Sequence, residues 1–198
     1  MAPRYRNPRS TASIAGHPIH PMLIPFPIAF FVATLACDIG FWITGSGGWF
    51  EPTLWLLGAG LIMAALAAVA GLTDFLGEAQ IRSMSTAWWH AGGNVAVVVI
   101  EIVNFFLRYG EGSKAVLPTG IVLSAIVVCG LLFTGWKGWQ MVYEGHIGVS
   151  DLPAGFPQQP ENPETIAVRR DSLSPAQPAA GSERRVEVSP ERERTTRD

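Results

Sequence analysis

The residues of this chain most able to do chemistry are four histidines, His17, His20, His90 and His146. Neutral imidazoles ligate metals and haem iron and relay protons near neutral pH. Each of the four flanks an apolar stretch long enough to cross a membrane: His17 and His20 precede the first, His90 opens the third, and His146 follows the fourth. An even number of crossings returns them all to one face. Imidazoles gathered at one boundary of a bilayer mark a candidate site.

His17 and His20 have the His-x-x-His spacing, which on one helical turn would put both rings on one side. Asp74, ending the second stretch, and Lys137, ending the fourth, fall at the same level by crossing parity. The candidate ligand set is therefore His17, His20 and His90, with Asp74 orienting a ring through its second nitrogen. The group held would be haem b or a transition metal, serving redox or proton-coupled chemistry with a redox partner protein. His146 reads as interfacial and outside this set. No Ser-His-Asp set, phosphate loop or catalytic carboxylate pair supports conventional enzymology. The alternative is a non-enzymatic bundle, a permeation or interaction module whose histidines and prolines only shape a helix entry.

A second constellation runs along the third stretch. His90, Asn94, Glu101, Asn104 and Arg108 recur at spacings that fall within roughly 40° of one line down a helix. Glu101 would lie about 16 Å deeper than His90. Facing such a stripe toward lipid is costly, so it must face the interior, as a proton path or as hydrogen bonds that fix helix rotation. Glu101 is expected to meet Asp38, Thr34 or Lys137 across the bundle, or to be protonated and bonded to an asparagine. Asp38, Asn94, Glu101 and Asn104 form the predicted polar path.

These residues need elements to position them. Nearly half of the chain is apolar and 15% is charged, with a net charge of -2, so it offers no basic surface for nucleic acid. Four segments meet the length of about 20 residues needed to span a hydrocarbon core: Pro21 to Ile43, Thr53 to Leu72, Ala87 to Leu107 and Leu117 to Gly138. Short connections make neighbours antiparallel. The expectation is an all-α, four-helix, up-down-up-down transmembrane bundle, with the lipid bilayer as its first partner. Trp42, Trp49 and Trp55 would mark one interface, and Trp88, Trp89, Trp136 and Trp139 the other. Cys37 and Cys129 lie in apolar stretches and read as small hydrophobes.

Arg4, Arg6, Arg9, Arg82 and Lys137 on one side, against Arg108 and Lys114 on the other, predict that both termini are cytoplasmic. The apolar start is interrupted by prolines and lacks a small-residue cleavage site, which argues against a cleaved signal peptide. Prolines 18, 21, 25 and 27 predict a kinked, buried entry to the first helix. Small residues at Gly60, Ala64, Ala67, Ala68 and Gly71, and at Gly130, Thr134 and Gly138, predict close helix contacts. No internal repeat is evident. Residues 1–20 form a basic, proline-containing lead, 21–149 the bundle, and 150–198 a polar, proline-rich segment expected to be a disordered cytoplasmic tail.

The run Gly16-His17-Pro18-Ile19-His20-Pro21-Met22-Leu23-Ile24-Pro25-Phe26-Pro27-Ile28, the Gly71-Leu72-Thr73-Asp74 step, Trp89-His90 with Asn94, and Gly135-Trp136-Lys137-Gly138-Trp139-Gln140-Met141-Val142-Tyr143 together resemble the bacterial membrane proteins of domain of unknown function 2231. The resemblance covers about Gly16 to Val149. It implies four transmembrane helices without a settled activity. Some relatives are joined to haem-bearing domains, which points toward redox chemistry. This chain departs from the pattern in having Pro25 where many relatives have a histidine before the Phe-Pro step. It also has Glu144-Gly145 where a basic-histidine pair is expected, with His146 displaced. Both departures remove potential ligands.

Overall fold

The computed structural model of the chain describes residues 7–149, so the first six residues of the lead and the expected tail, 150–198, lie outside the described residues. A two-residue hairpin, β1 (Ser13–Ile14) against β2 (His17–Pro18), leads into a short helix α1 (Ile19–Leu23) and then α2 (Pro25–Thr44). α3 (Phe50–Gly77) returns, α4 (Ala79–Ser83) forms a short connector, and α5 (Ser85–Glu111) and α6 (Ile121–Tyr143) make the second antiparallel pair. α2 packs against α3 and α6, and α5 packs against α3 and α6, closing a ring of four. The predicted all-α, up-down-up-down bundle is the observed architecture.

The prolines of the lead are accommodated by position. Pro25 and Pro27 fall in the first turn of α2 and Pro21 in that of α1, where backbone N–H groups lack an intrahelical partner in any case. The entry is therefore two helical pieces meeting at Ile24, itself in helical conformation, with the Ile24 N–H donating to His20 O at 3.2 Å. The expectation of a buried entry is corrected. Pro27 is buried, but Pro21, Met22, Pro25 and Phe26 face outward, on the side of the entry away from α3, to which His20 turns.

Long apolar runs make these helices, and their lengths suit a bilayer. α2 at 20 residues spans about 30 Å, and α3 at 28 residues about 42 Å, so α3 outreaches the hydrocarbon core. Its end is capped by Arg82, whose Nη1 donates to the carbonyls of Phe75 and Leu76. α2 stops at Gly45, whose φ of 63° lets its N–H turn back to Phe41 O at 2.8 Å. Phe31, Leu57, Ala64, Val97 and Val127 form the apolar core. Outward faces are equally apolar, with Ile62, Val69, Val95, Phe106 and Leu132 all exposed, as lipid requires. Trp42, Trp49 and Trp55 at one end, and Trp88, Trp89, Trp136 and Trp139 at the other, also point outward.

Candidate functional site

Two polar constellations occupy opposite ends of the bundle. At the end where α1 begins and α6 finishes, His20 and His90 meet edge to face, ring centroids 6.1 Å apart and planes at 85°. Each ring is fixed in the same way. His20 Nδ1 lies 2.8 Å from Ala67 O on α3, and His90 Nδ1 lies 2.8 Å from Thr134 O on α6. A carbonyl can only accept, so in the neutral ring Nδ1 carries the hydrogen and Nε2 keeps its lone pair. Asn94, one turn beyond His90, donates from Nδ2 to His90 O at 2.8 Å and approaches His90 Nε2 at 3.3 Å.

Glycines make room for both rings. A Cβ on Gly71 would stand 2.9 Å from His20 Nδ1, and one on Gly138 would stand 3.2 Å from His90 Cε1. In each hairpin, a histidine near the start of the first helix thus lies over a glycine one turn past the carbonyl that holds it. The two hairpins share this arrangement although no repeat is evident in the sequence. Gly71, Gly138 and the carbonyls of Ala67 and Thr134 were not assigned to the site by sequence reasoning, which read the small residues as packing alone. The available signal was a His early and a Gly late in each hairpin.

The other predicted ligands lie apart. His17 is in β2, exposed, with Nδ1 3.1 Å from Ala15 O, so His17 and His20 do not share a helical face. Asp74 orients no ring: backbone carbonyls do that, and its carboxylate accepts from Ser10 Oγ at 2.9 Å and from the Ala12 N–H at 2.7 Å, clamping the lead to the end of α3. His146 bonds locally to Glu144 O at 3.2 Å. Lys137 donates to Gln140 Oε1 at 3.0 Å, close to where sequence placed it but away from Glu101. Among the described residues, no group of three or more His, Cys, Asp or Glu side chains is arranged to hold a metal ion.

Toward the opposite end, Asp38 of α2, Glu101, Asn104 and Arg108 of α5, and Ser124 of α6 are all fully buried. Arg108 grips Asp38 with two parallel bonds, Nη1 to Oδ1 at 2.6 Å and Nη2 to Oδ2 at 2.7 Å. Its Nε donates to Asn104 Oδ1 at 2.9 Å and its Nη2 also reaches Ser124 Oγ at 3.2 Å. Ser124 donates to Asp38 Oδ2 at 2.7 Å and accepts from Asn104 Nδ2 at 3.1 Å. Asn104 Nδ2 also donates to Glu101 Oε2 at 3.0 Å. Glycine again provides the space, since a Cβ on Gly120 would stand 2.8 Å from Arg108 Nη2.

This network answers where the stripe of α5 faces. Glu101, Asn104 and Arg108 point inward as expected, while His90 and Asn94 are only partly buried. Glu101 meets an asparagine rather than Asp38, Thr34 or Lys137, because Asp38 is taken by Arg108. Thr34 satisfies its hydroxyl on Phe30 O at 2.9 Å within its own helix. Arg108, counted in the sequence among the charges flanking a span, is an interior residue.

An apolar four-helix bundle with its polar groups turned inward is the fold of a membrane protein. The chain belongs to the family described as predicted membrane protein (DUF2231), which matches residues 16–151. No curated protein and no solved structure matches it.

Proposed function

We propose that the protein is a redox protein of the bacterial plasma membrane in which His20 and His90 hold one haem b between them. The observation that carries this reading is the pair of imidazoles 6.1 Å apart, each with Nδ1 tied to a carbonyl so that Nε2 carries the lone pair. Ligating histidines are held in this way, their second nitrogen bonded to a carbonyl or carboxylate. Two imidazoles sharing one metal would need both Nε2 atoms aimed at it about 4 Å apart, so binding would turn at least one ring out of its edge-to-face packing. The donor set also selects the group. A lone zinc or copper ion takes three or four protein ligands, more than this pair supplies, whereas haem iron needs one or two, which His20 and His90 would provide.

Bound there, haem b would supply one-electron transfer to a partner protein. The chain's own part is positional. The carbonyls of Ala67 and Thr134 fix the tautomer and aim of each ring, and Gly71 and Gly138 let the rings lie against α3 and α6. Asn94 and a metal cannot both occupy His90 Nε2, so ligation requires the Asn94 amide to turn away. On orientation, Arg9, Arg82 and Lys137 lie at the histidine end. With Arg108 withdrawn into its ion pair, Lys114 remains from the basic residues counted opposite. This balance supports cytoplasmic termini.

The Asn94 contact also favours a second reading, in which the histidines only tie helices together and the bundle is a permeation or interaction module. The optical spectrum and metal content of detergent-purified protein decide between them. Soret absorbance with iron in the wild type, lost when His20 or His90 becomes alanine, is the expected result. The absence of both Soret absorbance and iron, with full complementation by a folded His17, His20 and His90 triple alanine variant, would overturn the haem reading.

A further inference from the structure

The charges inside the bundle do not cancel. Asp38, Glu101 and Arg108 are each fully buried, setting two carboxyl groups against one guanidinium. Arg108 commits both terminal nitrogens to Asp38. Of the other groups at this end, α6 contributes the hydroxyl of Ser124 and α2 the half-buried thiol of Cys37, while Glu51 at the near end of α3 and Glu111 and Lys114 beyond Arg108 are exposed to the outside, and Asp74 lies at the far end of α3. With every group ionised, the interior would hold one uncompensated negative charge in a medium where charges persist only when paired.

The oxygen atoms show where the balancing charge must go. Both oxygens of Asp38, the oxygen of Ser124, Oδ1 of Asn104 and Oε2 of Glu101 already accept hydrogen bonds. Glu101 Oε1 is the one buried side-chain N or O atom without a partner among the described residues. A single free oxygen cannot coordinate a metal cation such as Ca²⁺ or Mg²⁺, which takes about six oxygen ligands. It suffices for one proton. We propose that Glu101 is a proton-binding site of the membrane interior, carrying H⁺ on Oε1 so that the buried cluster is neutral. Binding forms one O–H bond and release restores the carboxylate, with no other bond changed. Asn104 bonds Glu101 through its nitrogen and Arg108 through its oxygen, so the proton's presence is felt at the ion pair. The inference is independent of any group held by His20 and His90.

Infrared spectroscopy of the whole chain in lipid vesicles at neutral pH tests it. The wild type is expected to show the carbonyl stretch of an undissociated carboxylic acid, shifted by ¹³C in glutamate side chains and unmoved by ¹³C in aspartate. Glu101→Gln, whose amide oxygen can still accept from Asn104, should lose the band. Should that variant fail to fold, the isotope shift in the unaltered chain decides alone. The absence of the band in the wild type would overturn the proposal. So would a band that follows the aspartate label, survives in Glu101→Gln, or is abolished by sodium or potassium.

Discussion

Removing one partner of the Asp38–Arg108 pair should cost far more than removing both. In Arg108→Met, the Asp38 carboxylate loses the two bonds of 2.6 and 2.7 Å and its only counter-charge, and Asn104 Oδ1 loses its donor. Breaking a buried ion pair in this way costs about 3–5 kcal/mol, or roughly two to three and a half orders of magnitude in the folding equilibrium. Asp38→Asn keeps the shape and leaves the guanidinium unbalanced, but Glu101 lies one amide away and can supply the charge by releasing its proton. That variant should fall at or below the lower end of the same range. The double variant buries no unpaired charge and should cost only the unmet Asn104 Oδ1, about 1–3 kcal/mol, well below the sum of the two single costs. Equilibrium unfolding in mixed detergent micelles, followed by tryptophan fluorescence, gives the three values. The expected coupling is at least about 2 kcal/mol, and single costs that add to the double within about 0.5 kcal/mol would refute a working ion pair.

Further outcomes follow from the other contacts. Gly71→Ala sets a methyl group 2.9 Å from His20 Nδ1, so it should lose a carbonyl bond worth about 1 kcal/mol and shift the ¹⁵N resonance of that Nδ1, whereas Gly138→Ala, 3.2 Å from His90 Cε1, should shift the His90 resonance by less. Gly60→Ala, which meets Phe31 instead, should leave both resonances in place. Asp74→Ala removes the acceptor of the Ala12 N–H and should speed hydrogen exchange at that amide about tenfold, a change of about 1.4 kcal/mol, without affecting α5 or α6. Gly120→Ala should destabilise by about 1–3 kcal/mol in the same micelle assay, because Arg108 cannot withdraw from its paired geometry without loss.

The bundle was legible because each span is a long apolar run joined to the next by a short connection, a pattern with one antiparallel solution. Its ends were less so: α3 continues to Gly77 and α5 runs from Ser85 to Glu111, since polar residues beyond the hydrocarbon are no obstacle to a helix already begun. Helical periodicity along α5 read the inward face of Glu101, Asn104 and Arg108 correctly, but not the partner of each. Asp38 is seventy residues away from Arg108 in the chain and no local pattern joins them. Crossing parity brought His20 and His90 to one level. It also grouped His17 and Asp74 with them, because parity fixes a level and leaves the position around the bundle open. His17 falls in a strand, and Asp74 turns to the lead.

The ion pair also bears on how the chain enters its membrane. Asp38 is made long before Arg108, and until the two meet each helix carries a bare charge that lipid does not tolerate. Neither α2 nor α5 is therefore content as a separate traveller in the bilayer. Pairing of the two charges is thus a driving force for docking α5 on the first hairpin, and α6 completes the closure with the hydroxyl of Ser124.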